Sequence, residues 1–196
     1  KNPRFAYIAP TFKQAKSIAW DYMKQFTAKI PHTKFNETEL RVDLPNGSRI
    51  TLLGSESPDG LRGIYLDGCV IDEYANVNSK LFPEIIRPAL SDRKGYCVFI
   101  GTPMGMNNNF YELYQHAQGA EDWFNYKAKA SDTKIVDEDE LVKAKEVMGD
   151  KKYLQEFECD WIANIEGAVY GDVIGKLDDQ KQLSRVPYDP SLPVST

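Results

Sequence analysis

Two short apolar runs, one crossover apart, decide what this chain can fold into. Gly68-Cys69-Val70-Ile71 ends in Asp72-Glu73, and Tyr96-Cys97-Val98-Phe99-Ile100 ends in Gly101-Thr102-Pro103. Uninterrupted apolar runs bounded by turn residues are the signature of strands covered on both faces, as the parallel strands of open α/β sheets are. Such strands deliver their last residues to the carboxyl edge of the sheet, where these folds bind ligands. An Asp at that edge can hold Mg²⁺, and a Glu beside it can orient and polarise an attacking water, so the pairing points to nucleotide hydrolysis. Each signal alone is ordinary, because exposed carboxylates often end strands and Gly-Thr-Pro is common turn chemistry.

The rest of the chain fits the same architecture. Phe5-Ala6-Tyr7-Ile8-Ala9 reads as another buried strand, closed by Pro10-Thr11. Thr11 is the expected cap of a helix, with Gln14 in the capping-box position. Ala15, Ile18, Ala19, Tyr22, Met23 and Phe26 recur at helical spacing and are expected on one buried face. Between Glu39 and Leu53 the period changes to two around Pro45-Asn46-Gly47-Ser48, which predicts a β-hairpin. Residues 74–90 predict a loop and a helix interrupted by Pro83 and Pro88. Asn108 or Asn109 is placed to cap a helix burying Phe110, Leu113, Tyr114 and Ala117. The weak alternation from Trp123 to Ala130 predicts one more strand. Asp137 starts a helix that stops at Gly149, and Asp150–Phe157 forms a further short one. From Gly167 the pattern thins toward a tail with Pro187, Pro190 and Pro193. The fold class is therefore α/β, with a mainly parallel sheet, helices on both faces and one hairpin.

Composition excludes several function classes. In 196 residues, with 42% hydrophobic content, no apolar run approaches the ~20 residues of a membrane helix, so no membrane partner is expected. A net charge of −5 argues against binding nucleic acid through bulk electrostatics, so any contact with DNA must be local. Lys127, Lys129 and Lys134 form only a sparse solvated group. Cys69, Cys97 and Cys159 are odd in number and far apart in sequence, which argues against a disulfide framework or a zinc site. His32 and His116 lack partner spacing for a metal or a triad.

The order and spacing of the motifs resemble one family, the large terminase subunit of tailed bacteriophages, which packages double-stranded DNA into procapsids. Tyr7-Ile8-Ala9-Pro10-Thr11 with Gln14-Ala15-Lys16 is similar to the segment after that family's P-loop helix. Ser57 to Gly63 resembles its Leu-Arg-Gly loop, Val70 to Ala75 its Walker B strand, and Gly101-Thr102-Pro103 its coupling motif. Glu156-Phe157 through Trp161, with Gly167-Ala168-Val169-Tyr170, resembles the join to its nuclease domain. The resemblance implies ATP and Mg²⁺ as cofactors, with Asp72 positioning the metal and Glu73 activating water. It implies that Gly101 and Thr102 lie at the γ-phosphate, with Thr102 coupling hydrolysis to DNA movement, and that Arg62 reaches a neighbouring subunit's nucleotide. The bland alternative for Arg62 is a loop cation paired with Asp59 or Asp67. Implied partners are double-stranded DNA, further copies in a ring, the portal protein and the small terminase subunit, in the host cytoplasm during phage assembly.

A P-loop needs Gly-x-x-x-x-Gly-Lys-Ser/Thr so that backbone amides cradle the phosphates and the lysine reaches the outer groups. The only Gly-Lys pair is Gly175-Lys176, with Gly171 one position too close and Leu177 in place of a hydroxyl residue. The expectation is a P-loop NTPase-like core over residues 1–160 lacking its P-loop segment, inactive alone. Residues 161–196 are expected to be a linker and the start of a nuclease domain, cut before its catalytic strand. Asp172, Asp178 and Asp179 read as surface charges. Two rival readings share the Asp-Glu strand or the fold: a helicase-like ATPase, which would carry a second lobe, and a non-catalytic α/β scaffold module.

Overall fold

A computed structural model describes residues 2–162. Strand β1 (Arg4–Ala9) runs into Thr11, whose hydroxyl oxygen accepts the Gln14 amide at 3.2 Å and starts α1 (Phe12–Ala15). A π-helical turn over Lys16–Trp20 follows, then α2 (Asp21–Thr27). The expected buried face is therefore rotated. A π turn carries more residues than an α turn, so a 3.6-residue reading across it drifts off the core. Trp20 and Thr27 are buried in place of Tyr22 and Phe26, and Phe26 is 75% exposed, stacked on Tyr22 at 6.1 Å.

Next come β2 (Lys34–Asn36), β3 (Arg41–Asp43) and β4 (Arg49–Gly54). The β3–β4 turn is the hairpin expected from Asn46-Gly47. The Leu44 amide donates to the Ser48 carbonyl at 2.9 Å, and Gly47 adopts a φ of 84° that a residue with a Cβ rarely takes. Strands β5 (Gly68–Ile71) and β6 (Tyr96–Phe99) complete a sheet of order β2-β3-β4-β1-β5-β6. Strands β4, β1, β5 and β6 are mutually parallel, and β2 and β3 are antiparallel additions at one edge.

The two faces are covered by different elements. Ala6, Ile8, Cys69 and Ile71 pack under a π turn at Leu81–Ile86 that continues into α3 (Arg87–Ser91). Ala9, Val42 and Leu52 pack under Ala15 and Trp20 on the opposite face. The expected interruption at Pro83 and Pro88 does not occur. Pro83 lies in the first turn, where its missing N–H has no intrahelical role. Just before Pro88, the Arg87 amide donates five residues back to the Phe82 carbonyl, a widened turn that relieves the ring's clash with the preceding coil.

Asn108 caps α4 (Asn109–Ala117), accepting from the Phe110 and Tyr111 amides at 2.9 and 3.1 Å. The strand expected at 123–130 is absent. Residues 124–129 are irregular, and the weak alternation reflects side chains that reach inward: Trp123 stacks on Phe99 at 5.8 Å and Lys127 lies 5.0 Å over the Tyr114 ring. Short α5 (Ala130–Thr133), α6 (Glu138–Met148), capped by Asp137 and ended at Gly149, and α7 (Asp150–Glu158) follow. Trp161 then docks on α4, 5.3 Å from each of the rings of Phe110, Tyr111 and Tyr114. The expectations for Gly167–Tyr170, Asp172, Gly175-Lys176, Asp178, Asp179 and the proline tail lie outside the described residues.

Ile8 is fully buried at the centre of the sheet, between β4 and β5. Ile8→Ala is expected to lower unfolding free energy by about 2–5 kcal/mol, and Ile8→Val by about 0.5–1.5, as read from urea denaturation midpoints at unchanged slope. A loss below ~1 kcal/mol for the alanine variant would mean that this face of the sheet is not the core.

Candidate active site

The parallel ladder brings four strand ends to one ridge. The Ser55 amide donates to the Ala9 carbonyl, that of Asp72 to Ile8 and that of Ile100 to Ile71, at 2.9, 2.8 and 3.0 Å. Asp72 thus leaves the end of β5, and Gly101-Thr102 leaves the end of its parallel neighbour β6. The residues singled out in both apolar runs converge on the carboxyl edge, and a further amide joins them: Tyr74 donates to Ile100 at 3.1 Å.

Asp72 is held from two sides. Its Oδ1 accepts the Glu73 amide at 2.9 Å, and its Oδ2 accepts the hydroxyl of Tyr7, which comes from the adjacent strand β1. Burial, the bond to Asp72 and the nearby charges of Asp72 and Glu73 push the Tyr7 hydroxyl above its ordinary range, so it remains a donor. The sequence shows Tyr7 only as part of a strand. Its role depends on β1 lying beside β5, which sequence spacing does not reveal.

Glu73 sits in the left-handed region at φ 49°, ψ 46°, an uncommon conformation for a residue with a long side chain, and such strain concentrates at functional sites. Burial first, then the charges of Asp72 and Glu156, raise its carboxyl above the usual carboxylate range, while the Asn76 side chain opposes the rise. A carboxylate with raised affinity for a proton is better suited to polarising water than a relaxed one.

The turn after Glu73 is seated in aromatic packing. The Tyr74 ring meets Phe99 at 4.8 Å and Phe110 at 5.8 Å, edge to face, and burial pushes its hydroxyl up to about 12. Gly101 closes the arrangement. At φ 151°, an added Cβ would lie 3.1 Å from the Tyr74 amide nitrogen and 3.2 Å from the Glu73 Cα. Only glycine lets the backbone of the β6 end approach the Asp-Glu turn so closely. Beyond Thr102, the Asn108 amide group donates to the Met104 and Gly105 carbonyls at 2.9 and 2.8 Å while its oxygen caps α4. This clamp fixes the loop that follows Thr102 and is legible in the sequence only as a helix cap.

Arg62 follows a 3₁₀ turn at Pro58–Leu61. It is exposed and paired, with Nε 2.8 Å from Asp59 Oδ1 and Nη2 3.3 Å from Glu84 Oε2. Of the two partners that the sequence suggests, Asp59 is found, so the pairing expected of a loop cation is present, whereas an arginine acting in trans is expected to make no structural ion pair. Asp67 instead accepts from the Arg4 amide at 2.7 Å and pairs with Arg93 at 3.2 Å. Cys69 and Cys97, distant in sequence, are register partners on β5 and β6 with Sγ atoms 3.4 Å apart, both as free thiols. Their mutual contact and burial raise the Cys97 thiol well above its ordinary range. His116 meets Trp123 edge to face at 5.4 Å. Among the described residues no group of three or more His, Cys, Asp or Glu side chains could hold a metal by itself.

An open, largely parallel sheet, with Asp-Glu ending one strand and Gly-Thr-Pro following its neighbour, places the chain among P-loop NTPase-like α/β domains. Within that class the match is specific: the model of the terminase large subunit, T4likevirus-type, N-terminal family matches residues 1–171, and the chain belongs to that family. The large terminase subunit of Thermus phage G20c is 30% identical, over 55% of this chain and 26% of its own length. That of Thermus virus P23-45 matches to the same extent. The chain therefore spans about a quarter of the length of these relatives. Among solved structures, the large terminase ATPase domain of Thermus phage P74-26 superposes with a TM-score of 0.68 at 23% identity, covering 82% of this chain and 77% of that one. The large terminase of another thermophilic bacteriophage does so with a TM-score of 0.69 at 14% identity, covering 82% and 41%.

Gly101→Ala is expected to lower unfolding free energy by about 1–3 kcal/mol, because it adds both an unfavourable φ and a close Cβ contact. Thermal melting together with amide exchange at Tyr74 would check this; a variant as stable as its parent would show that the approach is not tight.

Proposed function

We propose that this chain is the ATPase portion of a motor that drives viral double-stranded DNA into procapsids. The observation that carries the reading is the placement of Asp72-Glu73 and Gly101-Thr102 after neighbouring parallel strands on one edge. That placement suits a metal ligand, a water-orienting base and a phosphate sensor that must all face the same nucleotide. Further support comes from the second of the two thermophilic-phage terminases, whose structures include complexes with ADP and with ATP-gamma-S.

In this reading Asp72 holds Mg²⁺. Its two oxygens already accept one donor each, from Glu73 and Tyr7, and a carboxylate offers about four acceptor positions, so capacity remains for a metal. A single protein carboxylate suits Mg²⁺, which keeps several waters and takes its other ligands from phosphates. A Mg²⁺ held by Asp72 would supply charge neutralisation at the transferring phosphoryl group. Tyr7 fixes the Asp72 carboxylate, Glu73 orients and polarises water, and Thr102 contacts the γ-phosphate beside Gly101. Arg62 serves the site of the next subunit in a ring.

The 196 residues contain no Gly-x-x-x-x-Gly-Lys-Ser/Thr, and in this reading the phosphate cradle would be supplied by a segment outside them. We place its strand along the outer edge of β6. That edge carries Tyr96, Val98 and Ile100, each more than 40% exposed, and an apolar run with one unpaired side suits an internal strand better than an edge. The whole protein would act on double-stranded DNA with the portal protein and the small terminase subunit in the host cytoplasm, and would carry the nuclease beyond residue 161.

In the full-length protein, Glu73→Gln is expected to lower kcat for ATP hydrolysis by about 10²–10⁴-fold while leaving binding of a fluorescent ATP analogue intact. Undiminished turnover would remove Glu73 from the chemistry. Residues 1–196 alone are expected to fold without turning over ATP: calorimetric titration with ATP and Mg²⁺ should give no binding at micromolar concentrations, and phosphate release should match buffer. Turnover by these residues that Glu73→Gln abolishes would mean that the site is complete within them and that the cradle assignment is wrong.

A further inference from the structure

We infer that Asp59 and Glu84 are positioning residues for Arg62, gripping one edge of its guanidinium so that the other edge faces outward toward an anionic group on a neighbouring subunit. This rests on the reading of Arg62 as acting in trans and goes beyond it by naming what aims the side chain. Asp59 accepts from Nε at 2.8 Å and Glu84 from Nη2 at 3.3 Å. Those two nitrogens lie on the same side of the planar group, away from the bend of the side chain. Among the described residues Nη1 has no partner, so the Nη1/Nη2 edge remains available to meet two phosphate oxygens at once.

The grip is built into the local backbone. The Arg62 amide donates to the Asp59 carbonyl at 3.2 Å, so the main-chain turn and the side-chain pair close the same three-residue loop. Pro58 opens that turn with a fixed φ, and Leu61, inside it, packs against the core. Glu84 reaches in from a separate element, the π turn at Leu81–Ile86, whose Leu81, Ile85 and Ile86 are buried. Two carboxylates, one on an exposed turn anchored through Leu61 and one on a helical segment with a buried face, thus meet one otherwise exposed arginine.

Magnitude separates positioning from a latch that holds Arg62 inactive. The side chains of Arg62, Asp59 and Glu84 are 55%, 88% and 46% exposed. An exposed ion pair shifts an equilibrium by at most about fivefold, too little to silence a residue worth ~10³-fold or more in rate. It is enough to bias the rotamers of a long side chain before the partner arrives, which lowers the ordering cost of the contact.

The test uses steady-state ATPase of the full-length protein assembled in its ring. Asp59→Ala and Glu84→Ala are each expected to lower kcat about three- to fivefold at unchanged KM for ATP. Asp59→Asn and Glu84→Gln, which keep an acceptor oxygen, should retain most of the rate. In an Arg62→Ala background neither alanine substitution should have a further effect, a dependence that a merely structural role would not produce. A kcat that is unchanged or raised by both alanine substitutions, or an equal fall in the Arg62→Ala background, would overturn the positioning role. If Arg62→Ala itself leaves kcat unchanged, the trans reading falls and this inference falls with it. If Arg62→Ala lowers kcat but substitution of its partners does not, only the positioning role is lost.

Discussion

The register between β1, β5 and β6 is the constraint on which the site depends. Because Ile8 pairs with Ile71 and Ile71 with Phe99, the residues that follow β5 and β6 emerge at one height. In an antiparallel pair the same residues would leave at opposite ends of the sheet. A one-residue slip would turn Ile71 out of the core and swing the following carboxylates to the other face. The register is strongly specified by burial: Ile8 and Ile71 are fully enclosed, with Leu81 and Ile86 packed against their face. Hydrophobic burial therefore fixes the position of charged groups that contribute nothing to it.

On that frame the polar groups are arranged at some local cost. Glu73 takes a left-handed backbone, and burial together with the nearby charge of Asp72 disfavours its own charged form. The turn persists because its surroundings over-determine it. Tyr74 is wedged between Phe99 and Phe110, its amide is tied to Ile100, and the missing Cβ of Gly101 lets the β6 end lie close against the turn. The same contacts connect the Asp-Glu turn through Phe110 to α4, and through α4 to Trp161. A displacement at the Thr102 loop would therefore be felt in α4, whose cap Asn108 holds that loop by two carbonyls.

What can be read from the sequence follows from which forces are local. Asp72, Glu73, Gly101 and Thr102 stand out because a covered strand declares itself by composition and its exit residues are its immediate neighbours. The hairpin is legible because Asn46-Gly47 encodes its own turn. Tyr7 does not show itself as a partner of Asp72, because the pairing of β1 with β5 joins residues 65 apart in the chain. The buried face of the first helical segment is misassigned because a π turn at Lys16–Trp20 breaks the period, and no residue type there announces it. Alternation from Trp123 suggests a strand because it reports which side chains reach inward, a property that irregular chain can share with a ladder.

The two kinds of charged site on this molecule are stabilised by opposite means. Asp72 and Glu73 are half-buried neighbours, held by a tyrosine hydroxyl, a backbone amide and aromatic packing, so their geometry is set before any ligand arrives. Arg62 is solvated and held by two weak ion pairs, one from an exposed turn and one from the Leu81–Ile86 segment, whose other face is buried. A buried arginine would need its full charge compensated within its own subunit and would have nothing left to offer outside it. An exposed one with one edge occupied and one edge free keeps its charge available while losing part of its conformational freedom. In the proposed reading such a division would suit a site assembled from two surfaces, with the carboxylates held in place on one and the contact from the other exchangeable until the two meet.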